Sequence, residues 1–167
     1  KIADDLEISR EDQDQFALGS QQKAIAAINQ GKFKDEIWPI FVPQRKGDPL
    51  IVDTDEHPRY KNENGEYSVN LTLEKLSLLK PIFRKNGTVT AGNSSGINDG
   101  AAAVLLMSRD KADELGLIPM ARWTGSAVAG VDPGVMGYGP VPSTEKLLKR
   151  FNLTLDDIGL IELNEAF

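Results

Sequence analysis

The sequence is 167 residues long, 40% hydrophobic and 26% charged, with a formal net charge of −6 at pH 7, proportions that suit a soluble globular chain of one domain or two small ones. The acidic balance argues against a broad face for nucleic acid or an anionic membrane surface, and no apolar run approaches the roughly 18 residues of a membrane-spanning helix. There is no cysteine, which excludes disulfides, thiolate metal sites and a cysteine nucleophile within these residues.

The opening residues, KIADDLEISRED, have neither the apolar segment nor the cleavage pattern of an export signal, so a cytoplasmic location is expected. The Asn-x-Ser/Thr triplets at Asn70, Asn86, Asn93 and Asn152 accordingly read as chance. Ser9 followed by Asp12 is a capping-box pattern. Phe16, Ala17, Ala24, Ala27 and Ile28 then form an apolar stripe at helical spacing, and Gly31 supplies a stop. A helix of about 20 residues is predicted there. Residues 37–42 (IWPIFV) read as a strand, with Pro39 favouring an edge.

Residues 43–72 are the least regular stretch, rich in Pro, Gly, Asp, Asn and charge, and short surface segments are expected. Arg45-Lys46 and Arg59-Tyr60-Lys61 are candidates to hold a small anionic group; their other reading is as ordinary solvated cations. His57, the single histidine, sits beside Pro58 and among acids, with no nucleophile placed for it to activate, so it reads as structural. An amphipathic helix over residues 72–80 ends at Pro81.

The centre of the chain is residues 86–108, NGTVTAGNSSGINDGAAAVLLMS. Asn86-Gly87 signals a tight reversal. The loop after it is made of residues too small to obstruct a neighbour or a ligand. Residues 101–107 have no polar face, so they read as a strand buried on both sides. A charged helix over residues 109–115 stops at Gly116, and residues 121–131 alternate as a strand. Residues 130–140 hold four glycines and two prolines but match neither GxGxxG nor the P-loop. A helix over residues 142–151, with Leu147, Leu148 and Phe151 inward, leads to a turn at Thr154. Residues 158–163 read as another buried strand, delivering Asn164-Glu165-Ala166-Phe167. Such a strand needs covering elements, so the sequence reads as the interior of something longer. The residues taken alone give an α/β protein without a complete catalytic constellation.

VTAGNSSGINDGAAAVLLMS, VDPGVMGYGPVPS and IELNEAF resemble three successive signatures of the thiolase family. SREDQDQFALGSQQKA, GKFKDEIWPI, DEHPR and TLEKLSLLKP resemble the same family's preceding segment, in the same order. The polar stretch 60–70 departs from the pattern and reads as a small insertion. The resemblance implies part of a layered αβαβα fold with a loop domain that binds coenzyme A. Residues 1–93 would be most of that loop domain, 94–117 the last part of the N-terminal half, and 118–167 the start of the C-terminal half. The family's nucleophilic cysteine, its GHP histidine and its acid/base cysteine are expected outside these residues.

By the same resemblance, Asn164 would hold a water that completes an oxyanion hole, its amide both donating and accepting without changing charge. Its other reading is as a cap on the turn after the strand. Glu165 would orient its neighbours. Ser95 would hydrogen-bond a pantetheine amide, with Ala91, Gly92 and Gly96 leaving room for the arm. Phe83 and Ile97 would pack on the apolar part of coenzyme A, Arg59 would lie near its phosphate end, and Ala166 and Phe167 would line the pantetheine tunnel. Met136 would face the acyl pocket or fill core space. The implied activity is acyl transfer between acyl-CoA thioesters through an acyl-cysteine intermediate. Coenzyme A and acyl-CoA would be substrates; no permanently bound cofactor, metal, nucleic acid or membrane is implied. The full-length assembly would be a homodimer or homotetramer, and the 167 residues alone would be inactive. The competing reading is a non-catalytic thiolase-like subunit that binds acyl-CoA or a partner.

Overall fold

Ser9 begins the longest element for the reason its sequence gives. The Asp12 N–H donates to Ser9 Oγ at 3.0 Å, and the Ser9 N–H donates back to Asp12 Oδ2 at 3.2 Å, satisfying two donors that a helix start otherwise leaves open. The computed structural model describes residues 1–167. The chain divides into two compact units, residues 3–96 with 165–167, and residues 1–2 with 97–164. A short helix, α1 (Ile2–Asp5), precedes the capped helix, α2 (Arg10–Asn29).

In the first unit α2 packs against a hairpin and a second helix. Just beyond its end Gly31 takes a φ of +66°, the left-handed stop expected from the sequence. Its inward face differs from the predicted stripe. Phe16 is 64% exposed, and the buried positions are Asp14 and Ile25, about three turns apart. The reason lies in the neighbour, since a loop of polar groups meets this face near Asp14.

Two antiparallel hairpins follow. β1 (Ile40–Val42) pairs with β2 (Leu50–Val52), Phe41 opposite Ile51; the strand starts after Pro39, which has no N–H to give a ladder. β3 (Tyr60–Glu63) pairs with β4 (Glu66–Val69) across Asn64-Gly65, whose φ values of 57° and 90° are both positive. Both central residues of a type I′ turn need that backbone. The stretch expected to be irregular is therefore ordered in part, and its Asn-Gly pair was the available signal. Asn29, the last residue of α2, holds β4 by a two-way amide pairing. Its Nδ2 donates to the Tyr67 carbonyl at 2.7 Å and its Oδ1 accepts from the Tyr67 N–H at 3.0 Å.

Thr72 caps α3 (Leu73–Ser77), which is shorter than predicted but buries Leu76 completely. The buried apolar side chains of this unit are Ile25, Leu71 and Leu76; the buried polar ones are Asp14, Thr90 and Asn93.

The second unit contains α4 (Arg109–Glu114), capped by Ser108 and stopped at Gly116 with φ +65°. A 3₁₀ segment at Pro133–Tyr138 leads into α5 (Pro140–Phe151), and a 3₁₀ turn follows at Leu155–Asp157. Residues 121–131 keep the alternation read from the sequence, with Gly125, Ala127, Ala129 and Val131 half-buried, but form no ladder. They lie against α5 instead. Lys146 Nζ donates to the Val128 carbonyl at 3.1 Å and Arg150 Nη1 to that of Ser126 at 3.2 Å. The Phe151 ring occupies the space where a Cβ on Gly125 would sit, 2.3 Å away.

Residues 101–107 and 158–163 are not the buried strands expected. Val104, Leu105 and Leu106 are 77–80% exposed, and Leu160, Ile161 and Leu163 are also exposed. A strand is stabilised by the backbone beside it, and the only paired strands among these residues are those of the two hairpins. No helix is long and apolar enough to cross a membrane, and no three His, Cys, Asp or Glu side chains gather where a metal ion could be held.

Candidate functional site

The loop between Thr88 and Gly96 is fixed by its own polar groups. Asn93 Oδ1 accepts from the Thr90 N–H at 2.8 Å, and Asn93 Nδ2 donates to the Thr88 carbonyl at 3.0 Å. Thr90 Oγ1 accepts from the Gly92 N–H at 3.1 Å, while Ser94 Oγ donates to the Thr90 carbonyl at 2.6 Å. Each bond answers a backbone group that would otherwise be left unpaired as Thr90 and Asn93 are buried.

Gly92 has a second reason to be glycine. A Cβ there would lie 2.4 Å from Leu76 Cδ2 and 2.6 Å from Leu79 Cδ1. The missing side chain therefore admits the leucines at α3, and room for a ligand is not needed to explain it.

Three contacts join the predicted site residues within the first unit. The Ser95 N–H donates to the Ala166 carbonyl at 3.0 Å. Arg59 Nη2 donates to the Ala91 carbonyl at 2.9 Å, and the Arg59 N–H donates to Gln21 Oε1 at 2.7 Å. The Phe83 and Phe167 rings meet edge to face with centroids 6.0 Å apart, a favoured aromatic geometry. Ser95, Gly96, Phe83 and Phe167 are exposed and Ala166 is half-buried, so the hydroxyl of Ser95 and both rings are open to a ligand.

Ile97, Met136 and Asn164 belong to the second unit. Ile97 is fully exposed. Met136 projects, exposed, from the 3₁₀ segment whose entry Asp132 caps, its Oδ1 accepting from the Gly134 N–H at 2.7 Å. Asn164 is exposed.

Sequence reasoning missed Arg10, Asp14, Thr90 and Asn93, the polar groups behind the loop, and the bond from Ser20 Oγ to Glu165 Oε2 at 2.6 Å. Two signals were present. Arg10 and Asp14 stand four apart on one helix face, and an Asn among small residues often bonds its own backbone.

Comparison with solved structures gives this chain the α/β fold of thiolases. It superposes on the crystal structure of the Bacillus anthracis acetyl-CoA acetyltransferase with a TM-score of 0.88 at 48% identity, covering 99% of this chain and 39% of that one. On human mitochondrial 3-ketoacyl-CoA thiolase in complex with CoA the TM-score is 0.84 at 44% identity, covering 99% and 38%. Residues 1–110 match the family model for the thiolase N-terminal domain, and residues 117–167 match that for the thiolase C-terminal domain. The chain belongs to the thiolase family. It is 55% identical over 166 residues to an acetyl-CoA acetyltransferase of Pseudomonas aeruginosa, and spans 40% of that relative's length.

Proposed function

We propose that these residues supply the coenzyme-A-binding loop and one oxyanion-hole amide of an acyl-CoA:acetyl-CoA C-acyltransferase. In that reaction a cysteine thiolate attacks the acyl carbonyl of a thioester, and the oxyanion that develops is met by positioned donors. No cysteine lies among the 167 residues, so the covalent step is not theirs. Their part is to hold the substrate. Ser95 bonds a pantetheine amide, Phe83 and Phe167 cover the apolar stretch of the arm, and Arg59 favours its phosphate end. Asn164 orients the water that donates to the oxyanion, and Met136 borders the acyl group. In the complete enzyme the subunits form a dimer or tetramer in the cytoplasm.

The observation that carries this reading is the Ser95–Ala166 hydrogen bond. It ties the small-residue loop to Ala166, a residue that the chain separates widely from it and that one ligand arm would have to meet together with Ser95. Support also comes from the likeness to a thiolase solved with CoA.

Titration of the full-length polypeptide with coenzyme A tests it. Ser95→Ala and Arg59→Ala should each weaken binding, by about three- to tenfold for one lost hydrogen bond. Unchanged affinity in both variants would overturn the assignment.

A further inference from the structure

The first unit holds a chain of buried and half-buried polar bonds that reaches no ligand-facing group directly. Asp14, 3% exposed, is its centre. Asp14 Oδ2 accepts from Arg10 Nε at 2.8 Å, and Asp14 Oδ1 accepts from Asn93 Nδ2 at 2.9 Å. Arg10 reaches onward, its Nη2 donating to the Leu76 carbonyl at 2.6 Å and the Leu79 carbonyl at 3.1 Å. Asn93 reaches the other way, to the Thr88 carbonyl and the Thr90 N–H. One carboxylate on α2 thus holds the end of α3 through Arg10 and the loop through Asn93.

We propose that Asp14 and Arg10 are positioning residues for the coenzyme A site, setting the backbone of the loop so that Ser95 meets the pantetheine arm. The inference rests on the reading of Ser95 as a coenzyme A contact. A surface ion pair is worth little, but this carboxylate is buried and both of its oxygens are bonded, so it cannot relax without leaving a donor unanswered. Fixing the loop matters because binding to a floppy loop would have to order it as well as grip the ligand. Asn93 is the pivot. Its amide donates to Asp14 and to Thr88, and the oxygen of the same group holds Thr90, only five residues before Ser95.

Asp14→Asn keeps the shape and removes the charge. Its side chain can accept from only one of the two donors, and its own NH₂ opposes the other. Arg10→Lys is the second variant, keeping a cation beside Asp14 while losing the fork on the α3 carbonyls. Each is made in the full-length polypeptide with and without Ser95→Ala, and coenzyme A dissociation constants are measured. The proposal expects Asp14→Asn to raise Kd about tenfold when Ser95 is present and less than about twofold when it is Ala, a coupling outside simple additivity. Arg10→Lys should show the same pattern, and carries the test if Asp14→Asn does not fold. Equal factors in both backgrounds mean a purely structural role and overturn the proposal. So does an unchanged Kd in Asp14→Asn and Arg10→Lys while Ser95→Ala weakens binding, an outcome that leaves the coenzyme A reading intact. If Ser95→Ala itself changes nothing, the reading of Ser95 fails and the positioning role with it.

Discussion

The Ser20 hydroxyl donates to the Glu165 carboxylate at 2.6 Å although 145 residues separate them. Glu165 lies beside Ala166, whose carbonyl takes the Ser95 N–H, so the middle of α2 helps to seat the acceptor for the loop. Ser20→Ala should loosen residues 165–167 with little change in global stability, since one exposed hydrogen bond contributes on the order of 0.5–1.5 kcal/mol. Amide exchange at Ser95 reports it, and should quicken by about three- to tenfold. An unchanged rate would mean the carboxylate does not hold the segment.

Gly92→Ala should be among the most damaging small substitutions. Its Cβ would press into Leu76 and Leu79, and overpacking of this kind costs about 1–3 kcal/mol. Urea unfolding measures the loss, and adding Leu79→Ala should relieve part of the clash without restoring full stability. A Gly92→Ala protein as stable as the parent would show that the leucines move aside freely.

Asn29→Ala should release the β3–β4 hairpin from α2. Two backbone groups of Tyr67 lose their partners at once; each can turn to water, so the cost should fall at about 1–2 kcal/mol. Faster exchange at the Tyr67 amide, with the amides at the middle of α2 unaffected, is the expected signature.

The turn at Leu155–Asp157 should depend on pH. The Thr154 N–H and hydroxyl both donate to Asp157 Oδ2 at 2.8 Å, and these bonds, the backbone one foremost, hold the carboxyl below its ordinary value of 3.8. A depressed value favours the charged form in the fold. The turn is therefore held above the ordinary carboxylate range and loses that support as the pH falls through the lowered value. Carboxyl NMR should place the Asp157 midpoint below 3.8, and Thr154→Ala, which removes the hydroxyl bond, should move it upward.

Local chemistry was legible where it is satisfied locally. Ser9, Gly31, Gly116 and Thr154 act at the ends of helices and turns as their types and spacing suggest, because a cap needs only the next few residues. The strands were not legible in the same way. Residues 101–107 and 158–163 carry the apolar runs expected of buried strands, yet a strand is completed by neighbouring backbone that an apolar run cannot supply. The site divides similarly. Motif resemblance named Ser95, Ala166, Arg59, Ala91, Phe83 and Phe167, and the fold pairs them as donor and acceptor or ring on ring. Asp14 was hidden because a buried carboxylate on a helix looks, in sequence, like any solvated one until its partner Asn93, 79 residues away, is known.

The bare apolar segment Ala-Ala-Ala-Val-Leu-Leu-Met at residues 101–107 has a practical consequence. It is uncharged, free of proline, wholly apolar and open to solvent at its centre, and an uncovered apolar run of this kind is an association hazard. Purified alone at high concentration, the 167-residue polypeptide should associate and sediment. A lysine placed at Leu105 should keep it in solution.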